Sequence, residues 1–275
     1  AICLWCILLI AILIAAYKVY RYQALMKIRA RKEEMEMDML KRDHEMKLRF
    51  YTNISHEFRT PLTLIITPLE VLLKEEKDKV LSQKLGQIYR NAKNLLTLVN
   101  QLLDFRKLEM HGEKLNLCYG DISEFVENTV QAFIPNALNS SKELTVDIRA
   151  NHLYTSFDRD KICKILNNLL SNALKFTKEG DSITASLEKT VFKEQDCILI
   201  KVSDTGIGIP KEKIKNIFDR FYQVNDNSSC NTGSGIGLHI VKEYVSLHKG
   251  HIEVVSENGK GTTFSIYIPI IKADS

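Results

Sequence analysis

The chain is predicted to be a long helical hairpin followed by an α/β layer domain, with an apolar helix ahead of both. Three observations predict this. Residues 1–17 carry no charge, two stretches before His111 place apolar residues at heptad spacing, and beyond Gly112 short β-rich runs alternate with helical ones. With 275 residues, 45% hydrophobic and 26% charged, the composition is globular and excludes wholesale disorder. Six cysteines are scattered, and the only CxxC (Cys3 to Cys6) lies in the apolar segment. Neither a zinc cluster nor a disulfide framework is therefore expected, and a reducing compartment fits better.

Taking the elements in order, residues 1–17 would cover roughly 25 Å as a helix, slightly less than a ~30 Å hydrocarbon core. No basic residues precede the apolar stretch, as they would in a signal peptide. The flank Tyr17-Lys18-Val19-Tyr20-Arg21-Tyr22 suits the cytoplasmic edge of a spanning helix. Residues 1–17 are therefore expected to be a truncated transmembrane helix, in the inner (cytoplasmic) membrane with the rest of the chain in the cytoplasm. Residues 18–50 hold ten Lys/Arg against six Asp/Glu, which accounts for the entire net charge of +4. A nucleic-acid face would spread basic residues over a folded domain, so no directly bound nucleic acid is expected.

Leu25, Ile28, Lys32, Met35, Met39, Arg42, Met46 and Arg49 form a weak coiled-coil seam, so residues 18–45 are read as a membrane-proximal helix. A second run is cleaner: Leu81, Leu85, Ile88, Ala92, Leu95, Val99 and Leu102 are all apolar, and Leu96 and Leu103 widen the stripe. The charged stretch Lys74 to Lys79 is the hairpin tip. Two such helices cannot bury two broad stripes alone, and pairing of two copies into a four-helix bundle solves this.

On a helical wheel over Phe50 to Leu73, Ile54, Phe58, Leu62, Ile65, Leu69 and Leu72 share one side. Thr52, Asn53, His56, Thr60, Thr63 and Thr67 share the other, so His56 faces away from the bundle core. Glu57 can take a proton from one ring nitrogen and raise the nucleophilicity of the other. Pro61 removes a backbone donor and can bend the helix.

Beyond Gly112, strands are expected at Leu144–Arg149, Ile183–Leu187, Cys197–Val202, His251–Val255 and Thr262–Ile268. Helices are expected at Ile122–Leu138, Arg159–Phe176 and Gly237–His248. Asn168 and Asn172 align at i, i+4 with Lys175 beside them, a set able to hold hydrated Mg²⁺ and neutralise phosphate. Asp204-Thr-Gly206-Ile-Gly208-Ile-Pro210 leaves an apolar strand, so its carboxylate can accept from an exocyclic amine while backbone approaches the ligand. Gly233-Ser-Gly235-Ile-Gly237 opens a helix whose N–H groups can receive phosphate. Its GxGxG spacing and the polar stretch Asn225–Ser234 before it exclude a dinucleotide fingerprint. Gly259-Lys-Gly261-Thr262-Thr263-Phe264 is a tight turn into a strand.

Together these motifs resemble the sensor histidine kinases of two-component systems, over about residues 46–270. The phosphoacceptor box runs Phe50 to Leu62, the N box Asn168 to Phe176 and the first glycine box Asp204 to Pro210. The F box is Phe218-Asp-Arg-Phe221-Tyr222; the second and third glycine boxes are Gly233–Gly237 and Gly259–Thr263. The resemblance implies a dimerisation and phosphotransfer hairpin at 46–110. It also implies an α/β sandwich ATP-binding domain of the gyrase/Hsp90/histidine-kinase (Bergerat) type at 114–271. It implies that His56 attacks the γ-phosphate of ATP with Glu57 as base, and that Thr60 positions water in dephosphorylation. Asn172 would hold Mg²⁺ beside Asn168, Lys175 would contact phosphate, and Asp204 would bind the adenine amine. Gly206 and Gly208 would line the base pocket. Gly233, Gly235 and Gly237 would frame the triphosphate under a lid of roughly 211–234. Phe176, Tyr222, Leu238 and Thr262 complete the expected nucleotide site. Gln223 stands where many members have a basic residue, and Arg220 is expected to supply that charge. The implied partners are a second copy, the membrane, and a response-regulator receiver domain, in a separate protein or downstream as in hybrid kinases. Two other readings of the pocket are an ATPase of the same fold without phosphotransfer and a non-catalytic signalling scaffold.

Overall fold

The computed structural model describes residues 58–74, 78–109, 113–150, 152–223 and 234–271, together with most positions between 17 and 39. The chain divides into two units, 1–57 and 58–275. In the first, the described positions between 17 and 39 are helical and exposed. Met35 and Met39 of the expected seam are 67% and 71% exposed, so these two seam positions are uncovered in a single chain. Lys32 and Glu36 pair across one turn at 3.8 Å. Among the described residues no helix is long and apolar enough to cross a membrane, and residues 1–16 of the expected span lie outside them.

The second unit opens with the hairpin. The described residues 58–74 are all helical and form α1. Helix α2 (Lys79–Glu109) begins at Asp78, whose Oδ1 accepts from the N–H groups of Val80 and Leu81. Arg59 bonds Asn100, and Tyr89 donates to Glu70, tying the two helices. The wheel needs one correction. Leu62 and Leu69 are buried as expected, but the third buried position is Ile66, while Phe58, Ile65 and Leu72 are exposed. One neighbouring helix covers only the strip that faces it. Ile88, Leu95 and Leu102 of the heptad run stay exposed for the same reason. Thr60, Thr63 and Thr67 are exposed, as the threonine stripe requires.

The α/β part follows as β1 (Cys118–Asp121), α3 (Ile122–Gln131), α4 (Ile134–Asn139), β2 (Glu143–Ile148), β3 (Tyr154–Phe157) and α5 (Arg159–Phe176). After these come β4 (Ser182–Phe192), β5 (Gln195–Asp204), α6 (Lys211–Ile214), α7 (Gly237–Leu247), β6 (His251–Glu257) and β7 (Gly261–Pro269). A five-stranded sheet runs β2-β4-β5-β7-β6, parallel only between β2 and β4. That order is not the parallel sheet of a dinucleotide fold, in keeping with the GxGxG spacing. A separate ribbon pairs β1 with β3.

Alternation decides the faces. Ile183, Ala185 and Leu187 of β4 and Phe264, Ile266 and Ile268 of β7 point at the helices, while Glu188 and Lys201 pair on the open face. Helix α5 supplies Ile162, Ile165, Leu166, Leu169, Leu170 and Ala173, the 3–4 spacing of a helix lying on a sheet. The expected helix Ile122–Leu138 is in fact two. Pro135 stands in the first turn of α4, where its ring and missing N–H cannot continue α3. The short β1 and β3 have too few alternations to be legible in advance.

Candidate nucleotide-binding site

Asp204 is the last residue of β5, set opposite Ile183 on one side and Thr262 on the other. It is 9% exposed. Its Oδ1 accepts the Gly206 N–H at 2.9 Å. Burial pushes the carboxyl above the usual range; the N–H groups of Gly206 and Thr262 oppose this, and the Asp181 carboxylate adds to it. A strand end thus presents an acceptor at the edge of the core.

The turn that follows is stitched to two other expected motifs. The Ile207 N–H donates to the last carbonyl of α5, Phe176, at 3.1 Å, and Ile207 in turn accepts from the Gly259 N–H at 2.7 Å. The Ile209 N–H donates to Ser256 Oγ at 2.8 Å, and that hydroxyl also bonds Gly261 and Thr262. Gly206 lies so close to α5 that a Cβ there would sit 2.3 Å from the Phe176 carbonyl. Gly208 has φ +67, and a Cβ would sit 2.0 Å from the Glu257 carbonyl. So the first and third glycine boxes and the C-terminus of the N box form one hydrogen-bonded corner around Asp204.

The phosphate side is built on α5 and α7. Asn172 is half-buried, one turn beyond Asn168. Asn168 Nδ2 donates to the Lys164 carbonyl at 2.8 Å, and its Oδ1 faces Gly237, where a Cβ would come within 2.6 Å. Gly237 is the first residue of α7, so the helix's unsatisfied N–H groups begin beside the Asn168 carboxamide. Lys175 is exposed, with its ammonium 4.9 Å from the Phe176 ring centroid. Gly235 packs on the Phe221 backbone, Tyr222 and Leu238 pack against the main core, and buried Thr262 bonds Ser256. Arg220 lies over the Phe105 ring at 5.4 Å, on the side of the hairpin. Thr60 is helical and exposed on α1; His56, Glu57 and Gly233 lie outside the described residues. Of the lid stretch 211–234, residues 211–223 and Ser234 are described, with α6 as its only helix among them.

Several contributors carried no signal in the sequence. Gln101, Asp104 and Phe105 of α2 reach the α5–α7 junction, and nothing local marks them. A second buried node lies on the linker side. Asp158 caps α5, accepts from the N–H groups of Asn116 and Lys161, and pairs with the Lys161 ammonium at 3.0 Å. Lys161 also meets Glu113 at 3.3 Å. An Asp directly before a helix is a legible cap; its burial among these partners is not.

Among the described residues no group of three or more His, Cys, Asp or Glu could hold a metal, so a magnesium ion here would rest on carboxamide oxygens such as that of Asn172. That donor set fits an ion completed by phosphate oxygens and water and does not fit a dedicated protein cage.

This arrangement, an Asp-bearing strand end, a glycine corner and two helices whose ends face it, defines a nucleotide-pocket architecture, and the comparisons say which. Residues 157–272 match the family described as histidine kinase-, DNA gyrase B- and HSP90-like ATPase. Residues 46–111 match the His Kinase A (phospho-acceptor) domain. "Histidine kinase P4" of Formosa agariphila is 36% identical over 98% of this chain and 20% of its own length. The sensor histidine kinase WalK of Bacillus subtilis is 36% identical over 86% of this chain and 38% of its own. Full-length ShkA in complex with AMPPNP superposes with TM-score 0.66 at 25% identity, over 82% of this chain and 47% of that one. The histidine kinase AdeS of Acinetobacter baumannii shares the fold, with TM-score 0.54 at 24% identity, over 79% of this chain and 98% of that one. The chain belongs to the sensor histidine kinases of two-component systems, an enzyme family of protein-histidine kinases. It spans about a fifth of the length of the Formosa relative.

Proposed function

We propose that this chain is the kinase portion of a membrane-bound sensor that transfers the γ-phosphoryl group of ATP to His56. The observation that carries this reading is the corner joining Asp204, the α5 C-terminus and the β6–β7 turn, which leaves a buried carboxylate at the end of β5. Asp204 accepts from the adenine amine, and Gly206 and Gly208 let backbone approach the ring. Asn168, Asn172, Lys175 and the α7 N-terminus receive the phosphates, Lys175 as an exposed positive charge. Mg²⁺, held through Asn172, would supply charge neutralisation on the phosphates when bound. Glu57 takes a proton from one nitrogen of His56 so that the other attacks phosphorus, giving phosphohistidine and ADP. Positioning and charge stabilisation carry most of the rate.

The phosphoryl group then passes to an aspartate of a response-regulator receiver, and in the separate phosphatase reaction Thr60 orients the water that hydrolyses that phosphoaspartate to aspartate and orthophosphate. Two copies pair through the exposed stripe of Ile88, Leu95 and Leu102. Residues 1–17 anchor the chain in the inner membrane with the kinase in the cytoplasm, and residues 18–45 carry the signal to the hairpin at 46–110. A weak seam serves that role, since two packings a few kcal/mol apart respond to a small input. The test is His56→Gln. It abolishes acid-labile labelling from γ-³²P-ATP while binding of a fluorescent ATP analogue survives; unchanged labelling removes His56 as acceptor.

A further inference from the structure

Helix α2 reaches groups that the nucleotide reading assigns to phosphate. Gln101 Nε2 donates to Asn168 Oδ1 at 3.3 Å, and Gln101 Oε1 accepts from Ser234 Oγ at 2.7 Å. One hairpin carboxamide therefore spans the N box and the residue that leads into α7. With Asn168 Nδ2 committed to the Lys164 carbonyl, the amide oxygen of Asn168 is turned toward the hairpin. Asp104 pairs with Lys164 at 2.8 Å, and Phe105 is 2% exposed between Phe221 and His239. Leu108 is also buried. Positions 101, 104, 105 and 108 are one face of α2.

We propose that Gln101 is a latch: its amide oxygen competes with the polyphosphate of the nucleotide for the Ser234 hydroxyl and the Ser234–Gly237 segment, while its Nε2 is anchored on the Asn168 amide oxygen. This rests on the nucleotide-binding function proposed above. The chemistry favours exchange in both directions. A neutral carboxamide satisfies one acceptor and one donor without placing charge beside α7, so the site is closed but not blocked by a rival anion. A polyphosphate brings the negative charge that the α7 N-terminus and Lys175 attract, and its charge-assisted bonds outcompete the neutral ones. The neighbouring ion pair is built to separate, because Lys164 also pairs with Asp160 on its own helix at 3.1 Å and keeps a partner when Asp104 leaves. The linker contacts of Asp158, Lys161 and Glu113 are buried and travel with the catalytic domain. The latch is thus the separable contact and the linker node the permanent one.

The test is titration of the whole chain with a fluorescent ATP analogue and Mg²⁺, comparing the parent, Gln101→Ala and Asp104→Asn. Removing the competitor tightens binding about three- to tenfold in Gln101→Ala, and about twofold in Asp104→Asn, whose pair is partly exposed. Equal or weaker binding by a Gln101→Ala protein with the parent's melting temperature overturns the latch and leaves the nucleotide reading standing. Absence of binding in the parent and both variants overturns the nucleotide reading itself, and the latch with it.

Discussion

Asp158 and Asp204 are both buried aspartates at the end of a strand, and they titrate in opposite directions. Asp158, 2% exposed, accepts from the N–H groups of Asn116 and Lys161 and pairs with the Lys161 ammonium. Burial alone pushes its carboxyl up, but the N–H groups of Asn116 and Lys161 and the Lys161 ammonium outweigh this and hold it below the usual range. Asp204 has Gly206 and Thr262 N–H groups and no cation among the causes acting on it, so burial wins and its carboxyl rises. The same residue type in the same burial class is a structural rivet in one place and an unfinished site in the other. What separates them is whether the protein supplies the counter-charge.

The largest expected effect breaks the rivet. Asp158→Ala leaves the Lys161 ammonium with only Glu113 in a buried setting and should lower unfolding free energy by about 3–5 kcal/mol, read by urea denaturation. An unchanged midpoint would show that the pairing of Asp158 does not account for its depressed titration. Next, Asp204→Asn should weaken binding of the fluorescent ATP analogue by about a hundredfold, because the amide offers donors toward the adenine amine. The same variant should melt slightly higher near neutral pH, since an aspartate with a raised pKa loses stability as pH rises through that folded value. A weaker binder that also melts lower would contradict the picture of Asp204 as an unfinished site.

A smaller effect sharpens the linker side through pH. His248 Nδ1 donates to the Tyr244 carbonyl at 2.7 Å and Nε2 accepts the Asp158 N–H at 3.3 Å, so the ring is held neutral. Burial lowers its pKa, and Lys161 adds to this; the Tyr244 carbonyl and Asp158 pull the other way without winning. Its folded value lies below the ordinary 6.5, so the unfolded chain takes the proton first. Stability is complete above that pH and falls as pH drops toward the folded value, by at most about 1.4 kcal/mol per pH unit. Denaturation across that window checks it: His248→Leu should flatten the slope. Asp158 adds a further loss only in the more acidic carboxylate range. The smallest effect is the control. Lys189 and Asp196 pair at 2.8 Å with both side chains half exposed, and Lys189→Ala should change stability by no more than about 0.5 kcal/mol.

Helices α5 and α7 and the central strands were legible because each has a strong periodicity and a clean start: Asp158 before Arg159, the glycines before Leu238. The ribbon of β1 and β3, with four residues a strand, was not, because so short a run has no period to detect. The break at Pro135 was available in principle, since a proline marks a first turn, and the continuous apolar pattern through Leu138 hid it. In the site, Asp204, Gly206, Gly208 and the two asparagines were each placeable by their own local chemistry. Gln101, Asp104 and Phe105 were not, because their role comes from residues 60 and more positions away.

Composition and spacing alone therefore determined the order of the parts, the helical or extended character of the long elements, and the residue types brought to the pocket. These follow from local periodicity, capping and backbone freedom, which act over a few residues. Only the tertiary structure decided which buried aspartate would be paired and which left open, and which face of the second hairpin helix would meet the pocket. Both depend on dielectric and on counter-charge delivered by distant segments, and those exist only once the chain has closed on itself.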